Sequence, residues 1–139
     1  MSIQNTVEQV KKHEGFRQHP YYCTAEKLTI GYGRNLDDVG ISKQEAETLL
    51  LNDLTLRKAG IKRNVDTRYC NAARFAVLLN MAYNLGLEGL LAFKKTMSYI
   101  EVGEFEQAAA EMLNSRWAKQ LPKRSHELSL QMKTGEWQS

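Results

Sequence analysis

The sequence contains only two prolines and two cysteines among 139 residues. So little proline, combined with abundant Ala, Leu, Glu, Gln and Lys, argues against an all-β sandwich and favours helix. The spacing of Cys23 and Cys70 fits neither a zinc site nor a C-x-x-C motif, which predicts two free thiols and no bound metal. No cofactor-binding motif is present either, so we expect none to be bound.

Long apolar segments are also missing. The first residues lack the apolar core of a signal peptide, and no run of about 20 apolar residues occurs. We therefore expect no stable membrane insertion and a protein that is made and released in a cytoplasm.

Charge and size are those of one ordinary globular domain. Hydrophobic residues make up 42% and charged residues 25% of the chain, which excludes disordered and collagenous classes. The net charge is +3. The whole excess of positive charge lies after residue 111, in a segment that contains five Lys or Arg residues and two Glu residues. A basic end of this kind suits an anionic polymer such as nucleic acid or bacterial cell wall, and it equally suits a solvated helix face.

The N-terminal third predicts a helix followed by a hairpin. Residues 3–14 carry a stripe of apolar positions that ends in a carboxylate, and Gly15 is a good helix stop. The stripe consists of Ile3, Val7, Val10 and Glu14. Aromatic and β-branched residues on both sides of a polar turn predict a hairpin over residues 21–32.

Helices dominate the rest of the chain. Ser42 and Glu45 form a capping box, which starts a helix that we expect to end near Ala59 or Gly60. Residues 71–86 are apolar all round, with Asn71 as the cap and Gly86 as the stop, and therefore predict a central core helix. Further on, Pro122 suits the first turn of a helix and Gly135 suits a helix end. The predicted fold is α+β and mainly α.

Three residues carry the candidate chemistry: Glu14, Cys23 and Thr29, spaced E-x8-C-x5-T and continued by T-I-G-Y-G. The pattern places a carboxyl at a helix end and a thiol and a hydroxyl on the hairpin that follows. It resembles the signature of the T-even phage lysozyme family, glycoside hydrolase family 24. Ser115-Arg116-Trp117 and Lys133 to Trp137 resemble its C-terminal segment, so the resemblance covers nearly the full length.

The resemblance implies a lysozyme-like single domain over residues 1–139. In such a domain an N-terminal α/β lobe (1–41), a connecting helix (42–63) and a helical lobe (64–139) enclose a cleft. The activity implied is that of a muramidase, which hydrolyses the bond between N-acetylmuramic acid and N-acetylglucosamine in peptidoglycan, with inversion. Glu14 would donate the proton to the leaving oxygen, while Cys23 and Thr29 would hold or activate the attacking water. The apolar stripe on which Glu14 lies favours a raised pKa, whereas the Arg partner implied by the resemblance opposes it, and the sequence leaves the net direction open.

By the same resemblance, Arg124 would pair with Glu14, and four residues would contact the glycan. These are Asn35, Tyr83, Thr96 and Glu111, with Glu111 replacing the amide that is usual there. Asn84 and Trp117 would brace the cleft. Arg34 stands where family members often carry His, and we expect it to pair with Asp53 on the connecting helix.

Several functions fit this sequence. The leading hypothesis is an endolysin, monomeric, held in the host cytoplasm until a holin opens the membrane, and then acting on peptidoglycan. A prophage lysozyme or an antibacterial effector would use the same chemistry. A glycan-binding relative that lost catalysis when the second acid became Cys23 is the alternative from another class. Nucleic-acid binding ranks lower, because no recognised motif accompanies the small basic excess.

Overall fold

The computed structural model describes residues 2–139 and contains seven α-helices and a small antiparallel sheet over that range. The chain divides into two compact units, one ending at Leu49 and the other running from Leu50 to Ser139. The elements, in chain order, are α1 (Gln4–Glu14), β1 (Arg17–Tyr22), β2 (Leu28–Gly31), β3 (Arg34–Asn35), α2 (Lys43–Asn64), α3 (Ala72–Leu91), α4 (Lys94–Glu101), α5 (Phe105–Leu113), α6 (Arg116–Gln120) and α7 (Pro122–Thr134). This architecture confirms the predicted α+β, mainly helical fold.

The first unit contains α1 and the sheet, whose strand order is β1-β2-β3. Tyr21 of β1 lies opposite Thr29 of β2, and Thr29 in turn lies opposite Asn35 of β3. The predicted hairpin is therefore present, with a third short strand added. The pairing of β1 with β2 is irregular between Arg17 and Tyr21, a stretch that includes Pro20, which has no amide proton to donate to a ladder.

Helix α2 begins at the predicted capping box and continues beyond the predicted end. The Ser42 amide donates to Glu45 Oε1 at 2.8 Å, and the Glu45 amide donates to Ser42 Oγ at 3.1 Å. The end expected near Ala59 or Gly60 is wrong, since the helix runs on to Asn64. Gly60 serves close packing: a Cβ atom there would lie 2.7 Å from a Leu87 methyl carbon.

The second unit is built around α3. Asn71 caps this helix by accepting from the Arg74 amide at 2.9 Å, as predicted. Gly86 has φ +78° and interrupts the helix where the sequence indicates a stop, after which the chain resumes helical geometry to Leu91. Helices α5 and α7 pack against each other, with α4 against α5 and α3 against α7, and this packing buries Val77, Leu78, Met81, Ile100 and Met132.

The ends of α7 also follow the sequence. Pro122 occupies its first turn and Gly135 closes it in the left-handed conformation, at φ 72° and ψ 17°. Within residues 2–139 no single helix has both the length and the hydropathy to cross a membrane. Helices α3 and α4, which are bent relative to each other, have the necessary length and hydropathy only when they are taken together. Helix α3 also contributes many of the buried core residues named above.

Candidate active site

Glu14 is the last residue of α1, and the chain turns sharply behind it. Gly15 has φ 71° and ψ 161°, a positive-φ conformation that ends the helix as predicted but lies outside the left-handed helical region. The Gly15 amide still donates to the Lys11 carbonyl at 2.9 Å. This turn sends the chain directly into β1, so the carboxylate and the hairpin belong to one continuous segment.

The carboxyl group of Glu14 lies against the backbone of Gly33, in the turn between β2 and β3. A Cβ atom at position 33 would lie 2.7 Å from Glu14 Oε2, and Gly33 also has φ +80°. The positive φ favours glycine at this position, and a side chain there would also displace the flexible end of Glu14. Both observations agree with the second glycine of T-I-G-Y-G.

The α1 stripe does not bury Glu14. None of residues 4–14 is buried, and Ile3 and Val10 are 76% and 43% exposed. The stripe is apolar in sequence but adds no buried residue to the fold, and Glu14 is itself exposed. Its carboxyl group lies against the Gly33 backbone without being buried there.

Cys23 and Thr29 lie close together on the β1–β2 hairpin. The Cys23 amide donates to the Lys27 carbonyl at 3.0 Å, and the Cys23 carbonyl accepts from the Glu26 amide at 2.8 Å, which closes the turn. Thr29 is only 4% exposed, and its hydroxyl donates to the Lys27 carbonyl at 2.8 Å. The structure thus brings together the thiol and the hydroxyl that the sequence pattern predicts to act together.

The hairpin turn favours the ionised form of Cys23. The pKa of this thiol lies below its ordinary value of 9.0, chiefly because the Lys27 amide hydrogen-bonds to the thiolate, followed by the Ala25 amide. Partial burial raises the pKa of Cys23 and so opposes this effect, whereas the Thr29 hydroxyl lowers the pKa further. Cys70 behaves in the opposite way, since burial raises the pKa of its thiol despite the nearby Arg74. Both cysteines are free, as predicted.

The predicted partner of Arg34 is wrong. Its guanidinium forms a two-pronged pair with Glu45, at 2.9 Å from NH1 to Oε1 and 2.7 Å from NH2 to Oε2, and NH1 also donates to the Gly40 carbonyl. Asp53, the expected partner, is an exposed residue further along α2. Glu45 satisfies the capping box and Arg34 at once, because a carboxylate accepts several hydrogen bonds.

Asn35, predicted to contact the glycan, is engaged within its own loop. Its amide nitrogen Nδ2 donates to Asp38 Oδ2 at 2.9 Å, and its Oδ1 accepts from the Asp38 backbone amide at 3.0 Å. Asp38 also pairs with Lys27 at 3.3 Å. The signal missed in the sequence is that Asn can accept from the backbone amide three residues on, as it does at the start of a helix, and an Asp at that position can accept from its amide nitrogen. Contact with a glycan through Asn35 stays a prediction.

The second unit brings two of the predicted glycan contacts into one pocket. Thr96, which is 2% exposed, and Glu111 line a pocket of about 400 Å³. Aromatic and basic side chains share this lining, namely Phe93, Trp117, Lys94, Lys95 and Arg116. Phe93 meets Trp117 edge to face, with ring centres 5.9 Å apart. Tyr83 is exposed on α3 and is not among the lining residues.

Two functional candidates of the second unit are held by hydrogen bonds to asparagine side chains. Trp117 Nε1 donates to Asn84 Oδ1 at 2.8 Å, so these two residues hold each other, and their bracing of a cleft stays a prediction. Arg124 donates from Nε and NH2 to Asn80 Oδ1, at 2.9 and 2.6 Å. Asn80 is thus a partner of Arg124 that sequence reasoning missed, while the pairing of Arg124 with Glu14 stays a prediction. No cluster of three or more His, Cys, Asp or Glu suited to a metal occurs among residues 2–139.

Residues 11–131 match the family model described as phage lysozyme. The chain belongs to the phage lysozyme family.

Three relatives illustrate the similarity. The chain is 33% identical over 99 residues to the probable T4-type lysozyme 1 of Dictyostelium discoideum, covering 68% of this chain and 58% of that protein. It is 34% identical over 121 residues to the endolysin of Bacillus phage B103, covering 81% of this chain and 44% of that protein. It is 33% identical to the probable T4-type lysozyme 2 of Dictyostelium discoideum, with 96% of each covered. The chain thus spans about half the length of the first two.

The Arg34–Glu45 pair makes a pH-dependent contribution to stability. Its charge-assisted hydrogen bonds lower the pKa of Glu45 from 4.5 to about 2. Because the folded pKa lies below the unfolded one, the stabilisation is complete above about pH 4.5 and is lost as the pH falls towards 2. We expect Glu45→Gln, which retains the capping geometry, to lower Tm at pH 7 and to match wild type near pH 2. A gap in Tm that is constant across this pH range would contradict the pairing.

The contact between Glu14 and Gly33 is tested by Gly33→Ala with Gly31→Ala as its control. Both positions have positive φ, so alanine strains the backbone at each, but a Cβ at Gly31 meets nothing within 4 Å. We expect Gly33→Ala to displace the Glu14 carboxyl and so to lower any hydrolytic activity that depends on Glu14 by about tenfold or more beyond Gly31→Ala, because such a dependence tolerates little displacement. Specific activity per folded molecule is the measurement. Equal losses would mean that the contact does not position Glu14.

Proposed function

We propose that this chain is a muramidase that hydrolyses the β-1,4 bond between N-acetylmuramic acid and N-acetylglucosamine in bacterial peptidoglycan. The observation that carries the proposal is the placement of Glu14 against Gly33, in the same unit as the paired Cys23 and Thr29. Membership of the phage lysozyme family supports it. Thr96 and Glu111, in one pocket with Trp117, are the proposed glycan contacts of the second unit.

In the proposed reaction, Glu14 donates its proton to the oxygen of the leaving sugar as the bond from that oxygen to the anomeric carbon breaks. A water molecule attacks the anomeric carbon from the opposite face, which inverts its configuration. Cys23 accepts a proton of this water as a thiolate, and Thr29 orients the oxygen. The lowered pKa of Cys23 supports the role of base, since more thiolate is present near neutral pH than for an ordinary cysteine.

The substitution Glu14→Gln tests the acid. It preserves size and hydrogen bonding but removes the transferable proton, so hydrolysis of purified peptidoglycan should fall by about 10²-fold or more with the fold intact. Glu8→Gln is the matched control, because it makes the same change on the same helix at an exposed pair with Lys11. We expect the control to retain wild-type activity. Near-full activity in Glu14→Gln would refute the assigned mechanism.

Cys23 is tested by replacement and by alkylation. We expect Cys23→Asp to retain activity and Cys23→Ala to lose most of it, since only the first restores a base. Because the pKa of Cys23 is lowered and that of Cys70 raised, iodoacetamide should modify Cys23 at a lower pH and faster. Inactivation should follow modification of Cys23, and Cys70→Ala should change only stability. Wild-type turnover by Cys23→Ala would make Cys23 a bystander.

The biological role proposed is that of an endolysin, as the relative from Bacillus phage B103 is named. It would act as a monomer on the wall once the host membrane is permeabilised, for example by a holin. The competing function, a glycan-binding relative without catalysis, is favoured by the thiol at position 23, where a second carboxylate would otherwise stand. A protein that binds purified peptidoglycan and releases no soluble fragments would support that alternative.

A further inference from the structure

A second pocket of the Leu50–Ser139 unit shares no lining residue with the pocket around Thr96 and Glu111. Its volume is about 440 Å³, and it lies where the C-terminal part of α2, the beginning of α3 and the chain after α7 meet. Apolar and aromatic groups share its lining with two lysines; the residues that matter here are Lys58, Lys62, Phe75, Leu79 and Trp137.

The indole of Trp137 is exposed, yet the chain that carries it is held in place on both sides. Trp137 is 68% exposed. Before it, the Gly135 carbonyl accepts from Asn71 Nδ2 at 2.9 Å. After it, the Gln138 amide donates to Oε1 of the buried Gln131 at 3.2 Å. A large apolar face is therefore presented to solvent by a backbone already ordered, which lowers the entropic cost of binding a ligand.

The two lysines add unpaired positive charge beside this face. Lys58 and Lys62 lie one helical turn apart on α2, a spacing at which like charges repel. No carboxylate among residues 2–139 forms a salt bridge with either of them. Lys62 Nζ lies 5.8 Å from the centre of the Phe75 ring, which keeps it at the pocket. A bound anion would relieve this repulsion.

We propose that this pocket is a second binding site for peptidoglycan, separate from the residues that cleave it. A sugar ring stacks its apolar face on Trp137, and a carboxylate of the attached peptide lies between Lys58 and Lys62. Charge complementarity selects this ligand, because the glycan strand offers flat apolar sugar faces next to acidic peptides. The inference rests on the proposed function for its choice of polymer, but it does not depend on which residue cleaves the bond.

The test measures binding to purified, insoluble peptidoglycan sacculi by co-sedimentation, in a Glu14→Gln background that prevents digestion. We expect Trp137→Ala to weaken binding by about tenfold and Trp137→Phe to restore most of it. Lys62→Gln should weaken binding and reduce its sensitivity to salt. Lys43→Gln, the same change at the other end of α2, is the matched control and should bind like the parent.

A second measurement separates this site from the cleavage site. With Glu14 present, Trp137→Ala should raise the amount of sacculi needed for half-maximal rate and leave hydrolysis of a short soluble glycan fragment unchanged. Equal binding of Trp137→Ala and its parent to sacculi would overturn the inference. A loss of hydrolysis on the short fragment as large as the loss on sacculi would also overturn it. Full hydrolysis by Glu14→Gln would refute the proposed mechanism but not this inference. The binding of Trp137→Ala and its parent to sacculi would then be compared at 4 °C.

Discussion

The contact between the Glu14 carboxylate and the backbone of Gly33 relates the proposed acid to the sheet of the N-terminal unit. It joins the end of α1 to the turn that follows β2, the strand that carries Thr29. Cys23 and Thr29 are placed by the hairpin itself, through the hydrogen bonds of its turn and of the Thr29 hydroxyl. The proposed acid and the proposed water-binding residues therefore depend on one small sheet.

The turn between β2 and β3 is also held by the residue that follows Gly33. Arg34 follows Gly33 directly, and its two hydrogen bonds to Glu45 tie the turn to the first residues of α2. Because Glu45 also closes the capping box with Ser42, the start of α2 and the position of the turn depend on one carboxylate. A permanently charged Arg at this position keeps the tie intact across neutral pH, which a His would not.

Local signals in the sequence predicted much of this fold, and contacts between distant residues account for what they missed. Capping by Asn71 and the helix end at Gly135 depend on backbone geometry within a few residues, so the residue type is sufficient to predict them. Gly60 looked like a helix end, but close packing against Leu87 determines its presence. The family pattern pairs Arg34 with Asp53, whereas the carboxylate of Glu45 closes the cap of α2 and still has acceptor sites for the Arg34 guanidinium. In the candidate site, the residue types and their spacing were predictable, and the approach of Gly33 to Glu14 was not.

The central claim is that this chain cleaves peptidoglycan by hydrolysis at the muramic acid. Digestion of purified sacculi, borohydride reduction of the products and mass spectrometry test it most directly, because the reduced sugar identifies both the bond cut and the reaction type. We expect N-acetylmuramic acid at the new reducing ends. Reducing N-acetylglucosamine, 1,6-anhydromuramic acid or severed peptides with intact glycan strands would contradict it.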